Sequence, residues 1–317
     1  MYGQAQFNSK YRNKNRYKNL SCPNCNSEYI KKRGFRQTQN RGKIQRYSCK
    51  NCKYRFTYDD GFFRMRNDPQ KITLCLDLFY RGISTRKIQE HLQAFYPENT
   101  SWVSIYSWVI KYPRIISKFT DRLEVKTGSE IQVDELEYHR RKSHKRKLGV
   151  DKNWFIDSID TETRFMVASE YVKARERREI RGILKKIKEK SENQAKVVTT
   201  DAHPIYENVV KKVFGYDKHN RKYNIIHNVV NAFQGEGFNH PIERLHNSVR
   251  HRTKTFRGFH GSIDSAKAIM KGIEIYYNFI TKHQAINCCP YELAVPELKL
   301  GVNKWLELIR LSKTFNC

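Results

Sequence analysis

No stretch of this chain comes near the ~18 consecutive apolar residues that a membrane helix needs. The opening MYGQAQFNSKYRNKNRYKN lacks the apolar centre of a secretory signal. The expectation is an intracellular, cytoplasmic protein with no membrane partner. Internal repeats are missing, as is any extended low-complexity segment beyond that basic lead-in. Acids are scarce: 32 Asp and Glu stand against 61 Lys and Arg, a formal +29. Of the eight cysteines, Cys75, Cys288, Cys289 and Cys317 suggest no disulfide framework.

The charge exceeds what solubility requires. Such a field attracts polyanions, and each neutralised phosphate releases counterions. No amphipathic membrane helix stands out, so double-stranded DNA is the expected partner and a nucleoid association follows from it. The imbalance is steepest at the start, where residues 1–60 hold 15 basic and three acidic side chains interleaved with tyrosine and phenylalanine. Residues 1–20 read as a basic lead-in suited to phosphate. Cys22, Cys25, Cys49 and Cys52 follow as C-x2-C-x23-C-x2-C. Two short-spaced thiolate pairs form the tetrahedral shell that one structural Zn2+ prefers. The stretch between them alternates like short strands with glycine turns at Gly34 and Gly42. Residues 21–58 therefore read as a zinc ribbon whose metal supplies the folding energy.

After a linker over 59–70, residues 70–113 read as three short helices. Ile72, Leu76 and Phe79 or Tyr80 suit the first, and Gly82 stops it. Ser84 can cap a second holding Ile88 and Leu92; Thr100 or Ser101 can cap a third with Ile105, Trp108 and Val109 inward. Tight turns and an exposed polar last helix suit a helix-turn-helix, with Arg86, Lys87, Ser104 and Ser107 as its candidate DNA contacts.

From about residue 128 the texture changes. EIQVDELEYHR, NWFIDSID and RFMVASEYV read as an antiparallel meander. A helix with Ile180, Ile183, Leu184 and Ile187 on one face follows, then the strand AKVVTTDAH, a helix opened by Pro204, the strand YNIIHNVV, and helices over 241–257 and 262–283. The order β-β-β-α-β-α-β-α-α describes a mixed sheet flanked by helices over 128–285, an α/β fold with a C-terminal tail over 286–317. His139 and His144 lie in the basic run YHRRKSHKRK, read as a DNA-contacting hairpin loop.

Two acids stand out. Asp134 interrupts the first strand, and Asp201 ends the fourth. An Asp inside an apolar strand is costly unless paired or bound to metal. Strands one and four are neighbours in this order, so the two carboxylates meet and repel unless a cation lies between them. Mg2+ is the natural candidate, and two such ions serve in-line phosphoryl displacement. The candidates for a third carboxylate lie near the helix IERLHNSVRHRTKTFRG.

The motifs VDEL with Asp134, WFIDSID with Trp154, TTDAHPIY with Asp201 and Tyr206, NHPIERLHNSVRHRTKTFRGF with Glu243, and AIMKGIEIYYNFI with Asn278 and Phe279 together resemble a DDE transposase of a prokaryotic insertion sequence. The resemblance covers roughly residues 20–295, ribbon and helical segment included. It implies a ribonuclease H-like core and a metal set of Asp134, Asp201 and Glu243 holding two Mg2+ or Mn2+ ions. It also implies release of 3′-hydroxyls at element ends, their joining to target DNA, and a homo-oligomer on DNA. Arg244, Asn247, Arg250, Arg252 and Lys254 are the candidate DNA contacts on the Glu243 helix, with His246 sharing its face.

Two features depart from the family. Glu135-Leu136 stands where Glu-Thr is frequent, and 41 residues separate Asp201 from Glu243, more than is common. Glu236, with 34 between, competes on spacing but sits between glycines. Glu135 points to the opposite strand face from Asp134 and is a poor ligand on that ground. The rival readings are a catalytically silent DNA-binding regulator and a nuclease that cuts without joining.

Overall fold

The computed structural model describes residues 20–38, 41–95, 100–141, 150–192, 194–230, 240–254, 259–260 and 262–314. The chain divides into two compact units, Met1–Leu76 with Glu297–Cys317, and Asp77–Pro296. The partition falls inside the segment expected as a separate helical module.

In the first unit, β1 (Ile30–Thr38), β2 (Gly42–Cys49) and β3 (Arg55–Thr57) form an antiparallel sheet in that order. Gly34 makes no turn. It lies within β1 at φ +65°, where the register shifts between Lys32 and Phe35, so it serves a bulge in one long strand. β1 is largely exposed and contributes little core. The segment 59–70 is not a loose linker: Phe62 is buried, and Arg41 bonds both its carbonyl, at 2.9 Å, and Asp60, at 2.7 Å. Nor is the C-terminus only a tail. Its last helix, Lys304–Thr314, buries Trp305, Leu308 and Ile309, and Lys313 pairs with Asp59 at 2.9 Å.

Three helices come next: α1 (Pro69–Tyr80), α2 (Thr85–Phe95) and α3 (Trp102–Thr120). Gly82 takes φ +99° after α1, and Ser101 caps α3 by accepting from Ser104 N–H, as the sequence leads one to expect. The third helix differs from expectation. It is 19 residues long and buries Trp108, Tyr112, Ile116 and Phe119, because its apolar spacing continues past Val109. Pro113 lies inside it and cannot donate to the Val109 carbonyl four residues back. The Tyr80 hydroxyl donates to that carbonyl instead, at 3.2 Å.

In the second unit β4 (Glu130–Arg141), β5 (Val150–Asp160) and β6 (Met166–Val172) form the antiparallel meander. α4 (Arg177–Lys190) leads to β7 (Val197–Asp201), which runs parallel to β4. α5 (Pro204–Phe214) and a small hairpin, β8 (Tyr216–Asp217) and β9 (Lys222–Tyr223), precede β10 (Ile226–Val230), parallel to β7. The sheet order is β10-β7-β4-β5-β6. α6 (His240–Thr253), β11 (Phe259–His260) beside the far end of β4, α7 (Ile263–Ile275), a π turn over Tyr276–Ile280 and α8 (Pro290–Ala294) complete it. α3 packs on α7. Asn278 locks the π turn to β6, accepting from Met166 N–H at 2.8 Å and donating to its carbonyl at 2.9 Å. Strands one and four of this unit are neighbours, so the sheet brings Asp134 and Asp201 toward one place.

Candidate active site

β4 and β7 pair only from Glu130/Val197 to Gln132/Thr199. Beyond that rung the strands part, and the carboxylates that follow share the opening. Oxygens of Asp134, Glu135 and Asp201 lie within 4.8 Å of one another. This corrects the expectation for Glu135. Alternation does send its side chain to the other face, but that face is not sealed from Asp134 on the side where the β4–β7 ladder has ended.

Glu135 is held there. The Tyr206 hydroxyl on α5 donates to its Oε1 at 2.7 Å, and Arg175 reaches its Oε2 at 3.5 Å while lying 4.7 Å over the Trp154 ring. Burial pushes the Glu135 carboxyl up to about 7, with Asp201 and Asp134 adding to the rise and Tyr206 and Arg175 opposing it. Burial likewise raises Asp134, reinforced by Asp157 and Asp201 and opposed by His246. The site is thus an under-neutralised cluster of hard oxygen donors.

On the face of Asp134 itself, Asp157 of β5 sits directly across from it. His246 of α6 lies over both. Its Nε2 is 2.7 Å from Asp157 Oδ1 and its Nδ1 is 3.5 Å from Asp134 Oδ2. Burial alone would lower the His246 pKa, but the Asp157 carboxylate outweighs it and holds the ring above its ordinary value. His246 therefore turns inward and does not face DNA as expected. Asp157 is a further acid of this kind: it interrupts WFIDSID as Asp134 interrupts IQVDEL, and the same burial argument points to it.

Glu243 lies in the first turn of α6, three residues before His246, and is exposed. Among the described residues it does not join the 4.8 Å cluster, because Ile242, Leu245, His246 and Val249 take the inward face. Ile242 N–H donates to Gln132 Oε1 at 3.2 Å, which fixes that first turn near β4. Glu236 and residues 142–149, His144 among them, lie outside the described residues; of His139 the backbone pairs with Lys152.

Three oxygen donors so spaced suit a hard divalent ion such as Mg2+ or Mn2+. In the ribbon, Cys22 and Cys52 sulfurs are 3.5 Å apart and those of Cys25 and Cys49 3.6 Å. A ZnS4 tetrahedron with ~2.3 Å arms has edges of roughly 3.8 Å, so the four thiols fit one zinc. Of the expected DNA contacts on α6, Arg244, Asn247, Arg250 and Lys254 are exposed, while Arg252 lies 4.5 Å over the Tyr276 ring. Arg86 and Lys87 are exposed at the start of α2, with Arg86 4.9 Å over Trp102. Ser107 is exposed but its hydroxyl returns to Val103 O, and Ser104 is half-buried against Ser101.

A mixed five-strand sheet flanked by helices, with acids gathered where two parallel strands part, defines a ribonuclease H-like core. Residues 149–284 match the model of a family described as a DDE domain, found in insertion-sequence transposases. The chain carries that DDE domain. The match includes Asp201 and Glu243 and begins after Asp134. No curated protein matches the chain. No helix among the described residues is long and apolar enough to cross a membrane.

Proposed function

We propose that the protein is the transposase of an insertion sequence: it binds the element's ends, cleaves them to free 3′-hydroxyls and joins these to target DNA. The observation that carries this is the meeting of Asp134 with Asp201 at the parting of β4 and β7, with Asp201 inside the matched DDE domain. Asp134, Asp201 and Glu243 would hold two Mg2+ or Mn2+ ions. Such ions activate the attacking oxygen and stabilise the leaving one in in-line displacement. Support for Glu243 is its place one turn before His246, which touches Asp134. Glu135 is the additional carboxylate, kept in place by Tyr206 and Arg175.

The exposed Arg244, Asn247, Arg250 and Lys254 would track the strand that enters the site. The zinc ribbon and a helix-turn-helix built on Arg86 and Lys87 would recognise the ends, acting in the cytoplasm on nucleoid DNA. Synapsis of two ends requires more than one copy on DNA. A strand-transfer assay on end-containing DNA with Mg2+ or Mn2+ tests the reading. Cut and joined products support it; tight end binding without either supports a silent regulator, and cutting alone a nuclease. Full activity in Asp134→Ala, Asp201→Ala and Glu243→Ala alike would remove the site. Loss in Glu236→Ala but not Glu243→Ala would name the other glutamate.

A further inference from the structure

The pairing of His246 with Asp157 is not part of the metal set, and packing alone does not account for it. Asp157 is fully buried, and its Oδ2 has no hydrogen-bond partner among the described residues. A buried ionic pair of this kind stabilises a fold no better than an apolar pair of similar volume. What it does supply is direction. With Nε2 tied to Asp157 at 2.7 Å, the imidazole cannot rotate, and Nδ1 faces Asp134 Oδ2 at 3.5 Å. The other oxygen, Oδ1, accepts from Glu135 N–H at 2.7 Å. Both oxygens of Asp134 are thereby constrained, one by its own strand and one by α6.

We propose that His246, anchored by Asp157, is a positioning residue that fixes the Asp134 carboxylate for divalent-ion binding and docks the first turn of α6, with Glu243, beside it. The inference rests on Asp134 being a metal ligand. Asp157 and Asp134 are cross-strand partners, so one ring can span both without any loop. α6 is further held by the Ile242 N–H to Gln132, two residues before Asp134. The helix that brings Glu243 is therefore registered against β4 at two points. Groups that orient a metal ligand change metal affinity about 10–100-fold when removed.

The two ring nitrogens can be tested separately, because a Gln amide reaches the place of Nε2 and an Asn amide that of Nδ1. In His246→Gln the Asp157 bond is kept and nothing faces Asp134; in His246→Asn the reverse holds. Mn2+ binding to the zinc-loaded full chain is followed by the loss of the free-ion paramagnetic resonance signal, alongside thermal unfolding. The expected result is Mn2+ affinity weakened about 10-fold or more in His246→Gln with an unchanged unfolding midpoint. His246→Asn keeps a donor toward Asp134 but frees it from Asp157, so it should lose less Mn2+ affinity than His246→Gln and unfold earlier. Asp134→Asn is the control. If it loses Mn2+ while His246→Gln binds as the parent does, or if His246→Asn loses as much as His246→Gln, the positioning role is wrong. If Asp134→Asn binds Mn2+ unchanged, the metal site itself is misassigned.

Discussion

Gly272→Ala should destabilise the second unit even though alanine is the better helix former. Gly272 lies inside α7, where Ala gains about 1 kcal/mol over Gly. A Cβ there would stand 1.9 Å from the Tyr80 hydroxyl oxygen, 2.2 Å from its Cζ and 2.6 Å from its Cε1. Carbon contacts need about 3.5 Å, so the ring must move by more than an ångström. Tyr80 is 1% exposed and cannot swing into solvent. Forcing a methyl into such a core costs typically 1–3 kcal/mol. The displaced hydroxyl also abandons the Val109 carbonyl that Pro113 leaves without a helical donor, about 1 kcal/mol more. The net is about 1–3 kcal/mol of lost stability, or roughly 2–10 °C in the unfolding midpoint of a unit this size. Calorimetry on the single variant and on the pair with Tyr80→Ala separates the terms. Tyr80→Ala alone should cost about 3–5 kcal/mol, and adding Gly272→Ala to it should restore up to about 1 kcal/mol. A neutral or stabilising Gly272→Ala in the parent, or an equal loss in both backgrounds, would refute the reasoning.

The purified chain should hold one zinc, and its removal or Cys49→Ser should expose residues 20–60 to protease while the calorimetric transition of the second unit persists. Burial would raise the Asp121 carboxyl, but Lys271 at 3.0 Å and Lys190 at 3.7 Å more than offset it and hold it below its ordinary value. A lowered acid stabilises the fold above the ordinary carboxylate range and loses that contribution as pH falls through the folded value. Asp121→Asn should therefore flatten the loss of stability below about pH 4 in urea titrations at stepped pH; an unchanged acid limb would refute the pairing. Arg86→Ala and Lys87→Ala should each weaken binding to end DNA and reduce the slope of log affinity against log salt by about 0.9; an unchanged slope would take α2 off the phosphates.

Much of the core was legible because one periodicity dominated each segment. Strand alternation and helical spacing identified the meander and α4, and strand order alone made Asp134 and Asp201 neighbours. Alternation misplaces Glu135 because it assumes a continuous sheet, and the β4–β7 ladder stops three residues before it. The inward turn of His246 is not legible because a basic helix suggests DNA, while the partner that turns it inward, Asp157, sits on a strand 89 positions away. The length of α3 was hidden by Pro113, a reasonable stop signal whose cost is met by Tyr80, a residue from α1. The C-terminal helix reads as a tail from sequence because its partners, Gly61 and Asp59, lie more than two hundred residues earlier in the chain.

The proposed chemistry depends above all on Asp134 binding the ion at which DNA reacts. Thiolate suits Mn2+ better than Mg2+, so Asp134→Cys changes the ligand without removing it. The measurement is the ratio of end-cleavage rates in Mn2+ and in Mg2+. With Asp134 as a ligand, this ratio rises well above the parent's in Asp134→Cys; a ratio equal to the parent's would take Asp134 off the metal.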